Sequence, residues 1–109
     1  MLEAIVGSAT AERVLLYLQA YEQAHGREIA SALGLAQSQV QKQLRKLESG
    51  AVLVSRLSGR SRIYTWNPRN PLMRPLRSLL QSAFDTLPKG EQQKYFRERR
   101  RPRRSGKAL

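Results

Sequence analysis

The segment from Glu28 to Val52 constrains the fold most, because it contains two apolar helical patterns separated by one glycine. The first pattern covers 28–33, and the second covers about 37–48. Gly34 supplies a left-handed turn that most other residues resist. The second pattern has apolar residues at i, i+4 and i+7, namely Val40, Leu44 and Leu47. The segment therefore predicts two helices joined by a tight turn, a rigid corner from which the second helix projects.

Beyond Gly50 the apolar period becomes that of a β-strand. Alternation continues from Val52 to Leu57, and a second β-prone run covers 63–66. The intervening residues 58–61 include a glycine and are typical of a turn. The pattern predicts a β-hairpin over about 52–66.

Helical patterns flank this unit on both sides. Apolar residues recur at helical spacing from Thr10, a possible N-cap, to about Gln23. Near the other end, Asn70 can cap a helix that has Pro71 at its first position. One face of that helix is apolar and consists of Leu72, Leu76, Leu79, Leu80, Ala83, Phe84 and Leu87. The sequence predicts a mainly α fold with a β-hairpin and a long C-terminal helix over about 71–87.

The positive charge of the chain is large and unevenly distributed. Lys and Arg total 20 against 8 acidic residues, which gives a formal net charge of +12. Residues 36–77 contain nine of the basic residues and one acid, Glu48, while residues 89–109 contain nine more. Such a surplus on a small body attracts polyanions, nucleic acids above all.

The side chains that the apolar face of the second helix leaves outside suit the reading of base edges. Gln can bond an adenine edge in a bidentate way, and Lys can bond guanine. The candidate base contacts are Gln37, Ser38, Gln39, Gln41 and Lys42. The candidate contacts to the DNA backbone, on this helix and the hairpin, are Arg45, Lys46, Arg56, Arg60 and Arg62.

The stretch LGLAQSQVQKQLRKLESGAVLVSRLSGRSRIYTWN resembles the recognition helix and wing of winged helix-turn-helix transcription regulators of the ArsR and MarR type. The resemblance covers about residues 5–87 and implies sequence-specific binding of double-stranded DNA. Ala36 stands where the family often has a capping Ser. Two further pieces, VGSATAERVLLYL and NPRNPL, are similar to winged helices associated with minimal nucleotidyltransferases. The catalytic signature of the nucleotidyltransferase itself is absent from this sequence.

The predicted organisation is a winged helix-turn-helix domain over 1–88 and a basic, flexible tail over 89–109. In the regulators that the chain resembles, the terminal helices form the dimer. The apolar face of the 71–87 helix is therefore expected to form a homodimer interface, and a homodimer would read a pseudo-palindromic site. The tail is expected to add affinity that does not depend on DNA sequence.

Several function classes are not expected. The chain has no cysteine and a single histidine, His25, so a thiolate metal site, a disulfide or a recognisable catalytic constellation is not predicted. No apolar run has the length of a membrane span, and no secretory signal is expected. The sequence predicts a non-enzymatic cytoplasmic protein, associated with the nucleoid, that needs no cofactor and no metal.

Two other interpretations remain open at this stage. The Arg-rich tail also fits an RNA-binding or architectural basic protein. Alternatively, the winged helix could bind a partner protein in a toxin–antitoxin-like complex, through Leu16, Tyr17 and the last helix.

Overall fold

The computed structural model describes residues 2–93 and residue 95. The helices in this part are α1 (Glu3–Val6), α2 (Ala9–Tyr21), α3 (Gly26–Leu33), α4 (Gln37–Ser49) and α5 (Met73–Asp85), and the strands are β1 (Gln23–His25), β2 (Leu53–Ser58) and β3 (Ser61–Trp66). Residues 89–93 are also helical. The strands form an antiparallel sheet of order β1-β3-β2. The mainly α fold with a β-hairpin is confirmed.

Helix α2 begins and ends differently from the prediction. The N-cap is Ser8 rather than Thr10, because the Ser8 hydroxyl accepts a hydrogen bond from the Ala11 amide at 3.0 Å. The helix ends at Tyr21, and its C-cap Glu22 has a left-handed φ of 73°. The chain is then extended from Gln23, so the predicted end near Gln23 is slightly late.

Strand β1 was not predicted, since three residues are too short to show a strand period. Ala24 lies opposite Tyr64, and His25 lies opposite Ile63, in the register of β1 with β3. The segment between α2 and α3 is thereby held against the hairpin. It is the third strand of the sheet rather than a free loop.

The predicted corner is present. Gly34 has a φ of 66°, and the amide after it, from Leu35, donates to the Ala30 carbonyl at 3.0 Å. Helix α3 begins at Gly26, two residues before the predicted start at Glu28. Glu28 instead accepts a hydrogen bond from the His25 amide at 3.0 Å and so covers the first turn.

The connection from α4 to β2 relies on a left-handed alanine. Gly50 caps α4 with a φ of −86°, whereas Ala51 has a φ of 64°. The Ala51 carbonyl accepts hydrogen bonds from the side-chain amides of Asn67 and Asn70, at 2.9 and 2.8 Å. These two bonds hold the end of β3 beside the end of α4.

The core surrounds α2. Leu16 and Tyr17, considered earlier as contacts for a partner protein, are only 2% and 1% exposed and belong to this core. Arg77 of α5 ties the layers together, since its guanidinium lies 3.1 Å from Glu22 and 5.3 Å from the ring centroid of Trp66. The alternative that used Leu16 and Tyr17 as an exposed contact surface is therefore wrong.

Helix α5 begins at Met73, two residues after the predicted start at Pro71. Asn70 still acts at this end, because its side-chain oxygen accepts from the Leu72 amide at 2.9 Å. Beyond Pro88, Tyr95 is buried with its ring 5.5 Å from that of Phe84, in an edge-to-face arrangement. Of the basic tail predicted over 89–109, residues 89–93 are helical and Tyr95 is buried, while residues 94 and 96–109 lie outside the described residues.

Candidate nucleic-acid interface

Helix α4 presents a polar and basic face away from the core. Val40 and Leu44 are fully buried. Because successive residues of an α-helix are rotated by about 100°, Ser38, Lys42 and Arg45 lie on the opposite side of α4. All three are exposed. Gln37, Gln39 and Lys46 flank this face and are exposed as well. Most of the predicted contact residues of α4 therefore share one accessible surface.

Gln41 differs from the other predicted base contacts. Its side chain is half-buried, and its amide nitrogen donates to the Tyr64 hydroxyl at 3.0 Å. Gly26 lies beside it, and a β-carbon there would be 2.7 Å from Oε1 of Gln41. The side chain thus braces α4 against β3 and the start of α3. Sequence reasoning placed it outside because the fit between helix and sheet is a tertiary property.

The register of the wing, which we define as β2 and β3, separates its predicted arginines. Leu57 lies opposite Arg62, and Arg56 lies opposite Ile63. Since neighbouring residues alternate between faces, Arg62 shares the face of the buried Tyr64, while Arg56 lies on the other face. Arg60 is in the turn between the strands. All three arginines are exposed, but they do not form one cluster.

A chain of polar contacts holds Arg62 near the end of α4. Its guanidinium donates to the Ser55 hydroxyl at 3.1 Å, and that hydroxyl donates to a Glu48 carboxylate oxygen at 2.7 Å. Glu48 therefore orients the wing through a serine. The wing also exposes Leu57, which is 65% accessible and was not singled out from the sequence.

A basic cleft of about 370 Å³ lies between α3, α4 and the wing. Four arginines line it, namely Arg27, Arg45, Arg60 and Arg62, together with glutamine, tyrosine, serine and histidine side chains. Sequence reasoning missed Arg27, because it lies in the slightly acidic first third of the chain, where four glutamates outnumber Arg13 and Arg27. Its signal was structural: the pairing of β1 with β3 brings the start of α3 to the wing.

The predicted dimer face of α5 divides into two parts. Leu80, Ala83 and Phe84 are at most 6% exposed and pack within their own chain, so they are not free to form an interface. Leu72 and Leu79 are 68% and 38% exposed. Leu76 and Leu87 are intermediate. The exposed apolar side chains of the predicted face are therefore Leu72, directly before α5, and Leu79 on α5.

The described residues contain neither a group of metal-binding side chains nor a membrane-spanning helix. Within 2–93 and 95, no three His, Cys, Asp or Glu side chains are grouped so that they could hold a metal ion. In the same part of the chain, no helix has the length and apolarity needed to cross a membrane.

Comparisons with known proteins identify the fold. No family model and no curated protein matches the chain. Among solved structures, the adhesin competence repressor AdcR of Streptococcus pyogenes is 21% identical with a TM-score of 0.59, over 77% of this chain and 63% of that one. A mutant of Lactococcus lactis ZitR in its apo form is 18% identical with a TM-score of 0.55, over 72% and 62%.

A third similar structure is that of Lactococcus lactis ZitR, described as a zinc-responsive MarR family member. It is 21% identical with a TM-score of 0.50, over 79% of this chain and 67% of that one. This chain spans less than two thirds of the length of the first two structures. At such identities the likeness establishes the fold, and the chain has the winged-helix fold with β2 and β3 as its wing.

Proposed function

We propose that this protein is a transcription regulator that binds double-stranded DNA and has no enzymatic activity of its own. The observation that carries the proposal is the exposed face of Ser38, Lys42 and Arg45 on α4, next to a basic wing. Similar structures include a protein named as a repressor and a MarR family member, which supports a regulatory role.

In this proposal α4 enters the major groove and reads base edges with its N-terminal half. The readers are Gln37, Ser38, Gln39 and Lys42, which are exposed and carry hydrogen-bonding groups of the required kind. Gln41 is assigned to a different task, because its amide already bonds Tyr64. It fixes the angle of α4 rather than reading a base.

The wing and the outer part of α4 contact the DNA backbone and the minor groove. Arg60 and Arg62 lie toward α4, and Arg45 and Lys46 extend the same positive surface along the helix. Phosphate contacts of this kind fix the position of the protein on the duplex and supply much of the affinity. Arg56, on the opposite face of the wing, makes a separate contact.

The protein acts as a homodimer through two exposed apolar side chains, Leu72 directly before α5 and Leu79 on α5. A two-fold dimer would present two α4 helices to half-sites one helical turn apart, which requires an inverted repeat in the DNA. The cytoplasm, where the nucleoid lies, is the location that this role requires. The likeness to ArsR regulators and to winged helices associated with minimal nucleotidyltransferases stays a prediction. Binding of a partner protein also stays a prediction.

Selection of bound fragments from random duplex DNA tests the function. At about 150 mM salt, where charge attraction is screened beyond about 8 Å, we expect an enriched inverted repeat. The Lys42→Ala variant, which removes an exposed base contact, should bind with less preference at the base position that Lys42 reads. Recovery of unrelated fragments, or preferential binding of duplex RNA in competition, would contradict the proposal and favour an architectural or RNA-binding protein.

A further inference from the structure

The basic cleft between α3, α4 and the wing collects positive groups from four places in the chain. Arg27 comes from α3, Arg45 from α4, Arg60 from the hairpin turn and Arg62 from β3. Among the described residues that line it, none is acidic. A convergence of guanidinium groups without a carboxylate is unfavourable for the protein alone, because like charges repel.

Buried contacts hold the walls of the cleft in place. Gly26 allows α3 to approach α4 so closely that a β-carbon would be 3.2 Å from the buried Leu44. The hydrogen bond from Gln41 to Tyr64 joins α4 to β3 at 3.0 Å, and β1 joins the start of α3 to β3. The backbone positions of Arg27, Arg45 and Arg62 are therefore set by these contacts and not by the ligand.

We propose that this cleft binds one phosphodiester group of the DNA backbone and that Arg27 is a phosphate-binding residue. The inference rests on the proposed function, since it places a DNA strand between α4 and the wing. A guanidinium offers a planar pair of N–H donors that matches phosphate oxygens. The cleft is open to solvent, which suits a group that belongs to a continuous polymer.

The cleft offers more hydrogen-bond donors than one guanidinium supplies. Ser61 and Tyr64 also line the cleft, and their hydroxyl groups can donate to the remaining phosphate oxygens. Arg62 already bonds Ser55, so its geometry is fixed before an anion arrives. Arg27, Arg45 and Arg60 supply the charge that the phosphate neutralises.

A double-mutant cycle tests whether the arginines share one phosphate. Arg27→Gln and Arg60→Gln change exposed residues, and circular dichroism should show an unchanged fold for both. Each substitution should weaken binding of a mixed-sequence DNA duplex about tenfold, the lower end for a charged hydrogen bond. If both arginines contact one phosphate, their effects should not multiply. The loss of DNA affinity in the double variant should then be about one third of the product of the two single losses.

Arg56→Gln is the matched control, because Arg56 is an exposed arginine of the wing on the face away from the cleft. Its effect should multiply with that of Arg27→Gln without coupling. Equal coupling for both pairs, or no effect of Arg27→Gln while the wild type binds DNA, would overturn the cleft proposal alone. Failure of the wild type to bind any duplex DNA would overturn the proposed function as well.

A titration with inorganic phosphate separates the two sources of the anion. At constant ionic strength, we expect the Arg27 side-chain NMR signal to respond weakly and without saturation. Saturable binding that Arg27→Gln abolishes, together with an unchanged affinity of that variant for DNA, would assign the cleft to free phosphate and overturn the backbone assignment.

Discussion

Gly26 is the residue whose replacement tests the packing of the interface most directly. An added methyl group would be 2.7 Å from Oε1 of Gln41 and 3.2 Å from a methyl group of the buried Leu44. The first distance forces the end of the Gln41 side chain to shift, and we expect this shift to break its hydrogen bond to Tyr64. The second leaves less room, because Leu44 is fully enclosed. We therefore expect Gly26→Ala to destabilise the protein.

The magnitude follows from opposing contributions. Restricting the unfolded chain by replacing glycine with alanine stabilises by about 0.4–1 kcal/mol. Overpacking of a filled site costs about 1–3 kcal/mol, which includes about 1 kcal/mol for the lost hydrogen bond. The net loss is therefore centred near about 1 kcal/mol, with an upper end of about 2.6 kcal/mol, and each kcal/mol lowers the Tm of a domain of this size by about 4–8 °C.

Thermal and urea unfolding followed by circular dichroism would measure this loss. Gly50→Ala is the matched control, because Gly50 has a φ of −86° and a β-carbon there would have 3.5 Å to its nearest neighbour. It should be neutral or slightly stabilising. A Gly26→Ala variant as stable as Gly50→Ala would refute the packing argument.

A second background identifies the source of the loss. Tyr64→Phe already releases Gln41, so Gly26→Ala should cost about 1 kcal/mol less in that background than in the wild type. An unchanged cost would mean that Leu44, and not Gln41, resists the methyl group.

Three further measurements check other parts of the structure. Ala51→Gly should raise the free energy of unfolding by roughly 0.5 kcal/mol, since glycine adopts the left-handed φ of 64° without a steric penalty; a loss of stability in urea unfolding would contradict this. Burial raises the pKa of Tyr95 from 10.0 to about 12, so the folded state keeps the phenol proton that the unfolded chain loses. The contribution of Tyr95 to the free energy of unfolding should be constant below pH 10 and fall between pH 10 and 12, and Tyr95→Phe should remove that fall. Leu79→Asp should lower the mass seen by light scattering while the fold is kept, whereas Leu80→Asp should unfold the chain because Leu80 is fully buried; a folded Leu80→Asp variant would contradict the burial of this side chain in its own core.

The corner and the wing could be predicted from the sequence because their signals are local. A glycine directly after a helical pattern, such as Gly34, indicates a left-handed turn. The change from a helical to a strand period after Gly50 can likewise be recognised without knowledge of distant residues. The end of a helix is less certain when several residues can act as caps. Ser8 and Thr10 both carry the required hydroxyl, and only the path of the chain selects Ser8.

The remaining differences depend on tertiary contacts. A stripe of leucines predicts that α5 buries one face, but it does not say whether that face packs on its own chain or on a second one. Leu80 and Leu79 are adjacent in the sequence and differ entirely in exposure. Gln41 likewise shows its role only beside Tyr64, which is 23 residues away.

The short strand β1 has a consequence for how this protein can vary. Because residues 23–25 pair with β3, the span from α3 to the wing is determined by hydrogen bonds of the sheet and not by a loop. Insertions at the hairpin turn near Gly59 would lengthen the reach of the wing without rotating it. An insertion within β1 would instead shift the pairing by one residue and turn Ala24 from the core toward solvent. The tip of the hairpin is thus the place where the length of the contacted surface can change, while its angle to α4 stays the same.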